Sequence, residues 1–354
     1  MSTSRVRRSE LAVTVAQLVG GPLTIEDAGN GWPALGTVDS DGTTLSVALF
    51  VGPIGLAHRP QRVGVERRFQ NPAANDDERD RLGWHGRPIA VPAGRTPLLL
   101  GIWSEDPHLD VTRPVLVSAD ARKREGLSTR YSVFQRPAAL QQAARDGWAE
   151  AMNDDGEPMY YFDPRLLPAV ALAVEAAVPV PSHEISIAVG AAGLTDGAGG
   201  PPEMALTGAA ERARRTATAL VRDARFSAAV VGAYGGRCAM CGLGLRLVQG
   251  AHIYPASAPG SVDEAWNGLC LCSNHHAAFD RHLVWVDPTD RSIRLHPDVL
   301  DDADNPATTA FISSTRAVVA EPDATAHRPP DEVFERRYEH FTGRYDWAAP
   351  AAGG

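Results

Sequence analysis

Residues 237–281 read RCAMCGLGLRLVQGAHIYPASAPGSVDEAWNGLCLCSNHHAAFDR, and two sets of residues interleave within them. Cys238-x2-Cys241 and Cys272-x2-His275 are two pairs at the spacing of a tetrahedral zinc site. His252, Asn267 and His276 are threaded between and beside those pairs. A thiolate pair on one turn and a Cys/His pair at the start of a helix would pin both ends of the segment to one structural Zn2+. Cys270 could in principle supply a thiolate, but a ligand pair on a turn prefers two intervening residues. That preference selects Cys272 with His275 and leaves Cys270 as a buried spare.

The order Cys, Cys, His, Asn, Cys, His, His resembles the HNH (ββα-metal) endonucleases, and more narrowly the McrA-like modification-dependent restriction endonucleases, whose HNH domain is C-terminal. RDARFSAAVVGAYGGRCAMCG (222–242) is similar to the helix that leads into the HNH segment of that group. The resemblance covers residues 220–285 and implies a β-hairpin and a helix around one divalent cation. It implies hydrolysis of phosphodiester bonds in double-stranded DNA, with a modified form as the expected target. His252 would be the general base, since a neutral imidazole accepts a proton at physiological pH. Asn267 would hold the hairpin and orient the His252 ring. His276 would bind the catalytic cation, with Asp280, four residues on and on the same helix face, as a candidate partner. Many family members place an acidic ligand before the first histidine, where this chain has Ala251. Asp280, Gln249, His282 or water would then complete the shell, which suits a partly hydrated Mg2+, Mn2+, Co2+ or Ni2+.

The chain has 354 residues, 44% of them hydrophobic and 22% charged, which is the composition of a globular protein with room for two domains. A net charge of −9 does not advertise nucleic acid in bulk. All four cysteines lie between 238 and 272, so they point to a metal knot in a reducing compartment rather than a disulfide framework. The apolar run near the N-terminus is interrupted by Thr14 and Gln17 and has no convincing cleavage site. No segment approaches the length of a membrane span, so the expected location is the cytoplasm and no membrane partner is expected.

The fold class expected from the sequence is α+β: an N-terminal mixed α+β DNA-sensing domain joined to a C-terminal zinc-stabilised ββα-metal nuclease domain. The boundaries expected are 1–180, a Pro/Gly-rich linker at 181–202 with a possible short strand, and 203–354 with its core at 235–285. Strands are expected at 43–51, 97–103, 114–118 and 157–162, and helices at 137–150 and 164–178. Residues 57–81 read as a polar, Arg-rich loop. Periodicity predicts a helix over 203–234 with Arg212, Arg215, Arg222 and Arg225 on its polar face. HLVWVD and SIRLHP read as strands, 301–330 as a polar connection and 331–341 as an amphipathic helix.

One HNH centre reads little sequence, so target choice is expected to lie in the first domain. Trp84, Trp103, Phe134, Trp148, Tyr160 and Tyr161 could line a base-accepting pocket, although core packing is the stronger account of most of them. Arg59, Arg62, Arg67 and Arg68 could contact phosphates. Competing functions are an HNH nuclease of a mobile element or phage packaging system, and a non-catalytic zinc-knuckle DNA-binding protein. A homodimer is expected, because a double-strand break needs two such centres.

Overall fold

The computed structural model describes residues 7–40, 42–58, 65–72, 86–103, 113–127, 129–192 and 208–348. Contacts divide the chain into two units, Met1–Val221 and Arg222–Gly354. In the first unit, helix α1 (Arg8–Val19) precedes strands β1 (Leu23–Asp27), β2 (Ala34–Ser40) and β3 (Thr43–Pro53). Strands β4 (Gly55–His58), β5 (Val65–Gln70), β6 (Thr96–Trp103), β7 (Val115–Ala119) and β8 (Ser132–Phe134) follow. Helix α2 (Pro137–Asp146), strands β9 (Trp148–Met152) and β10 (Pro158–Phe162), and helices α3 (Leu167–Ala176) and α4 (Ser182–Ala192) come next. The long helix α5 (Gly208–Ala233) contains the division between the units.

A seven-stranded sheet, ordered β1-β2-β3-β6-β7-β10-β9, carries this unit; only the β3/β6 pair is parallel. Both faces of its centre are covered, which explains why 97–103 is an unbroken apolar run. Val47, Leu49, Val51, Leu98 and Leu100 enter one core with α1 and α3. Ala48, Phe50, Leu99, Val117 and Tyr161 enter the other with α2. The smaller sheet β4-β5-β8 is anchored by Phe69. Gly52 and Gly101 are register partners across β3/β6, and a Cβ on Gly101 would stand 2.5 Å from the Phe69 ring. The glycine pair is therefore the seat of that ring, and alanine at 101 would displace it.

Several elements differ from the expectation. The stretch expected as a polar loop contributes β4 and β5, and Arg67 is buried at 6% exposure. Arg67 and Phe69 are buried while Arg68 and Gln70 are only half-buried, and the arginines masked that period-two pattern. The helix expected over 137–150 stops at Asp146, because Gly147 adopts a left-handed φ of 80°. WAEAM then pairs with β10 as β9. The possible strand after residue 181 is helix α4. Of the helix expected over 203–234, residues 203–207 lie outside the described residues.

In the second unit, β11 (Val248–His252) and β12 (Gly268–Cys272) form an antiparallel hairpin followed by helix α6 (Ser273–Asp280). This is the ββα arrangement. Strands β13 (Val284–Val286) and β14 (Ile293–Leu295) pair next, then α7 (Pro297–Asp301), α8 (Pro306–Ser314) and α9 (Asp331–His340). The expected polar connection at 301–330 thus contains a helix, with Asn305 capping it through Ala307 N–H. Gly250 and Gly268 face α5: a Cβ on Gly268 would come within 2.4 Å of Val230 and 2.8 Å of Phe226. No helix among the described residues is long and apolar enough to cross a membrane.

Candidate active site

Gly235 and Gly236, both at positive φ, end α5 and turn the chain into the first cysteine pair. The turn is closed by Cys238 N–H to Leu243 O and Gly242 N–H to Cys238 O. Ala239 N–H donates to Cys270 O, which lays the turn against β12. Cys238, Cys241, Cys272 and His275 consequently converge, with their four ligand atoms within 4.8 Å of one another. Cys241 Sγ lies 3.9 Å from Cys272 Sγ, and Cys272 Sγ lies 3.2 Å from His275 Nδ1. A tetrahedral ion with metal–sulfur bonds of about 2.3 Å separates its sulfurs by about 3.8 Å, so the donors fit a zinc-sized cation. Burial, with Cys238 and Cys272 alongside, pushes the Cys241 thiol up to about 12. Three thiolates cannot coexist there without a cation to offset them.

The tautomer of His275 is fixed from outside the cluster. Thr315 Oγ donates its one proton to Phe311 O at 2.8 Å and lies 3.0 Å from His275 Nε2. The hydroxyl can then only accept, so Nε2 carries the proton and Nδ1 keeps the lone pair that could ligate a cation. Cys270 is fully buried, stands opposite Gly250 and lies outside the cluster. Burial, with Cys238 and Cys272 nearby, raises it to about 12, so it remains a thiol.

His252 closes β11, opposite Gly268. Its ring lies flat on Phe226, with centroids 3.6 Å apart and planes 9° from parallel. Its Nε2 lies 3.0 Å from Asp263 Oδ1. Asn267, at 1% exposure, does not reach that ring. It accepts from Tyr254 N–H and donates to the carbonyls of Tyr254 and Val262 and to Ser261 Oγ. Asn267 therefore closes the 253–263 loop, whose last residue holds His252. The difference arises because a short amide inside a closed loop finds the loop's own backbone first.

His276 projects from α6 beside β11, where Gln249 Nε2 lies 2.6 Å from its Nδ1 and Asp280 Oδ2 lies 3.2 Å from its Nε2. Burial opposes ionisation of Asp280, but the hydrogen bond from His276 and the charges of His276, Arg337 and His282 hold it below the usual carboxylate range. His282 instead bonds Tyr345 at 3.0 Å. Among the described residues, only the Cys3His group gathers three or more potential ligands.

Arg337 reaches both halves of the hairpin–helix unit from α9. It is 2% exposed and donates to Ile253 O, Phe279 O and Tyr345 Oη. Asp223, on α5, completes the surroundings of His252. Burial and Asp263 push its carboxyl up, against the opposing effect of His252. The sequence offered Asp263 and Glu264 as the only acids between His252 and Asn267. Nothing in it marked Thr315 or Arg337.

In the first unit, Trp103, Trp148 and Tyr161 are buried in the core, and Trp148 Nε1 donates to Ser182 Oγ. Phe134 is 38% exposed, with the Arg68 guanidinium 5.8 Å from its ring. Arg67 turns inward and donates to Val65 O. Trp84, Arg59 and Arg62 lie outside the described residues.

Residues 238–287 match the family described as HNH endonuclease, and residues 52–171 match the family described as Methylase-associated X1. The second unit thus carries an HNH endonuclease domain, and the chain is a nuclease. No curated protein matches the sequence. A solved structure titled "Modification dependent TagI restriction endonuclease" aligns over 84% of this chain and 81% of its own, at 15% identity and a TM-score of 0.29.

Proposed function

We propose that this chain is a DNA endonuclease of a modification-dependent restriction system, with its cutting centre on the β11/β12/α6 unit and its target reader in the first unit. The observation that carries the nuclease part is the HNH family match over 238–287, in which His252 is the histidine held by Phe226 and Asp263. The match of 52–171 to a methylase-associated family supports a link to DNA modification.

In this account His252 takes the proton from the attacking water, because its ring is oriented by stacking and by a carboxylate. Asn267 keeps the loop closed so that this orientation survives contact with the duplex. His276, with Asp280 and Gln249 beside it, would hold a divalent cation, which when bound offsets charge on the phosphate and the departing oxygen. Two or three protein donors leave most of such an ion hydrated, as suits Mg2+ or Mn2+, with Co2+ and Ni2+ as alternatives. Cys238, Cys241, Cys272 and His275 would hold Zn2+ as a structural ion. The pair of half-buried Arg68 and exposed Phe134 is the part of the first unit best suited to touch DNA, by phosphate contact and stacking. A homodimer would supply the second centre needed to cut both strands.

The deciding experiment is cleavage of four plasmid preparations with Mg2+ or Mn2+: unmodified, 5-methylcytosine, 5-hydroxymethylcytosine and phosphorothioate DNA. Cleavage confined to a modified preparation is the expected result. Equal cleavage of all four would sink modification dependence and leave the nuclease intact. Light scattering, alongside a time course for nicked intermediates, tests the dimer.

A further inference from the structure

We infer that Asp263 is a positioning residue for the nuclease reaction: its carboxylate fixes His252 as the Nε2–H tautomer and leaves Nδ1 as the atom that takes the proton. The inference rests on the proposed role of His252 as the base. Three observations converge on it. First, Asp263 Oδ1 lies 3.0 Å from His252 Nε2, within hydrogen-bond reach, and an ionised carboxylate can only accept. The proton of a neutral imidazole must then sit on Nε2.

Second, the parallel stack on Phe226, with centroids 3.6 Å apart, holds the ring in one plane, and in that plane Nε2 is the nitrogen that faces Asp263. A neutral imidazole has one donor and one acceptor nitrogen, so Nδ1 retains its lone pair. Third, the position of Asp263 is itself constrained. Asn267 Nδ2 donates to Val262 O at 2.9 Å, one residue before Asp263. Tyr254 Oη donates to Pro259 O at 3.1 Å, and Arg336 lies 4.0 Å from the Tyr254 ring centroid while reaching Pro259 O and Gly260 O. A chance surface ion pair would not have its loop held at four points.

This arrangement gives Asn267 a definite place in the chemistry. Its amide does not touch the base; it holds the strand of loop that delivers the carboxylate to the base. Asp223 is the other acid near this pair and stands on α5. Its carboxyl bonds neither the His252 ring nor the Asp263 carboxylate, so among the described residues Asp263 is the one that fixes the tautomer.

The test compares Asp263→Asn, Asp263→Ala and Asp263→Glu with wild type and His252→Ala, on the four plasmid preparations named above. Single-turnover cleavage by the Asn and Ala variants should fall by about 10² or more, with duplex affinity and melting temperature unchanged. The Glu variant should recover part of that loss, because it restores a carboxylate, which can only accept. Nitrogen NMR of imidazole-labelled protein should show His252 as the Nε2–H tautomer in wild type and as a mixture in Asp263→Asn. Wild-type cleavage by Asp263→Asn, or an Nδ1–H tautomer in the wild type, overturns the inference. If His252→Ala also cuts like wild type, it is the assignment of the base that fails. The NMR result decides the tautomer whether or not any plasmid is cut.

Discussion

Arg337 donates to the carbonyl oxygen of Phe279 at 2.7 Å, tying the C-terminal helix to the helix that carries His275 and His276. The same guanidinium donates to Ile253 O at 2.9 Å, one residue beyond His252, and its Cζ stands 3.8 Å from the Phe279 ring centroid. The hairpin and the helix of the ββα unit are thus both held by a residue fifty positions beyond the family match, which ends at 287. Hydrogen bonds from a charged group contribute about 1.5–3 kcal/mol each, and truncation would leave buried carbonyls unpaired. Arg337→Ala should therefore lower the stability of the second unit by about 3 kcal/mol or more. Arg337→Lys should recover little, since an ammonium cannot span the same three directions. Denaturant unfolding measures both, and an unchanged midpoint for Arg337→Ala would contradict the role.

The metal knot makes a separate prediction through Thr315. Thr315→Val removes the acceptor that fixes the His275 tautomer and leaves all four ligands in place. Loss of such an outer partner typically costs about 10–100-fold in metal affinity. Competition with a chromophoric chelator should show that loss, and Cys272→Ser should show a larger one together with unfolding. Equal zinc retention by Thr315→Val and wild type would mean that the hydroxyl does not tune the site.

Glu157 gives the first unit a dependence on pH. It is 2% exposed, and its oxygens accept from Arg124 twice, from Asp120 N–H and from Asn153. Burial alone would raise the carboxyl, but the Arg124 hydrogen bond, the Asp120 N–H and the charges of Arg124 and Lys123 outweigh it and hold it below the usual 4.5. A depressed folded-state value means the stabilisation is fully present above the ordinary carboxylate range. It is lost as pH falls through the depressed value. Glu157→Gln should be less stable at neutral pH and lose less stability on acidification than wild type. Calorimetry across pH 3–7 reads this, and parallel pH profiles for the two proteins would remove Glu157 from the account.

Much of the second unit was legible because its chemistry demands particular residues at fixed spacing. Cys238, Cys241, Cys272 and His275 announced a convergent site, and the structure brings the four together. The strand at 43–51 was visible by its alternation, and that at 97–103 as an apolar run too short for a helix. What escaped the sequence was held by long-range contact. Phe226 meets His252 through a hairpin–helix packing that only Gly250 and Gly268 permit, and glycine spacing alone does not say what will fill the gap. Asp263 resembles any loop acid until the Asn267 amide is seen to close the loop. β5 was hidden because Arg67 points inward, against the usual alternation of polar residues outward.

Cleavage by His252→Ala decides whether this histidine is the base. The variant removes the imidazole and keeps Asp263, the Cys3His group, and His276 with Asp280. It should retain the fold, the zinc content and the affinity for the duplex that wild type cuts. Its single-turnover rate on that duplex, with saturating Mg2+ or Mn2+, should fall by about 10³-fold or more. A purified, folded His252→Ala protein that cuts at the wild-type rate would contradict the account, because it would place the base elsewhere.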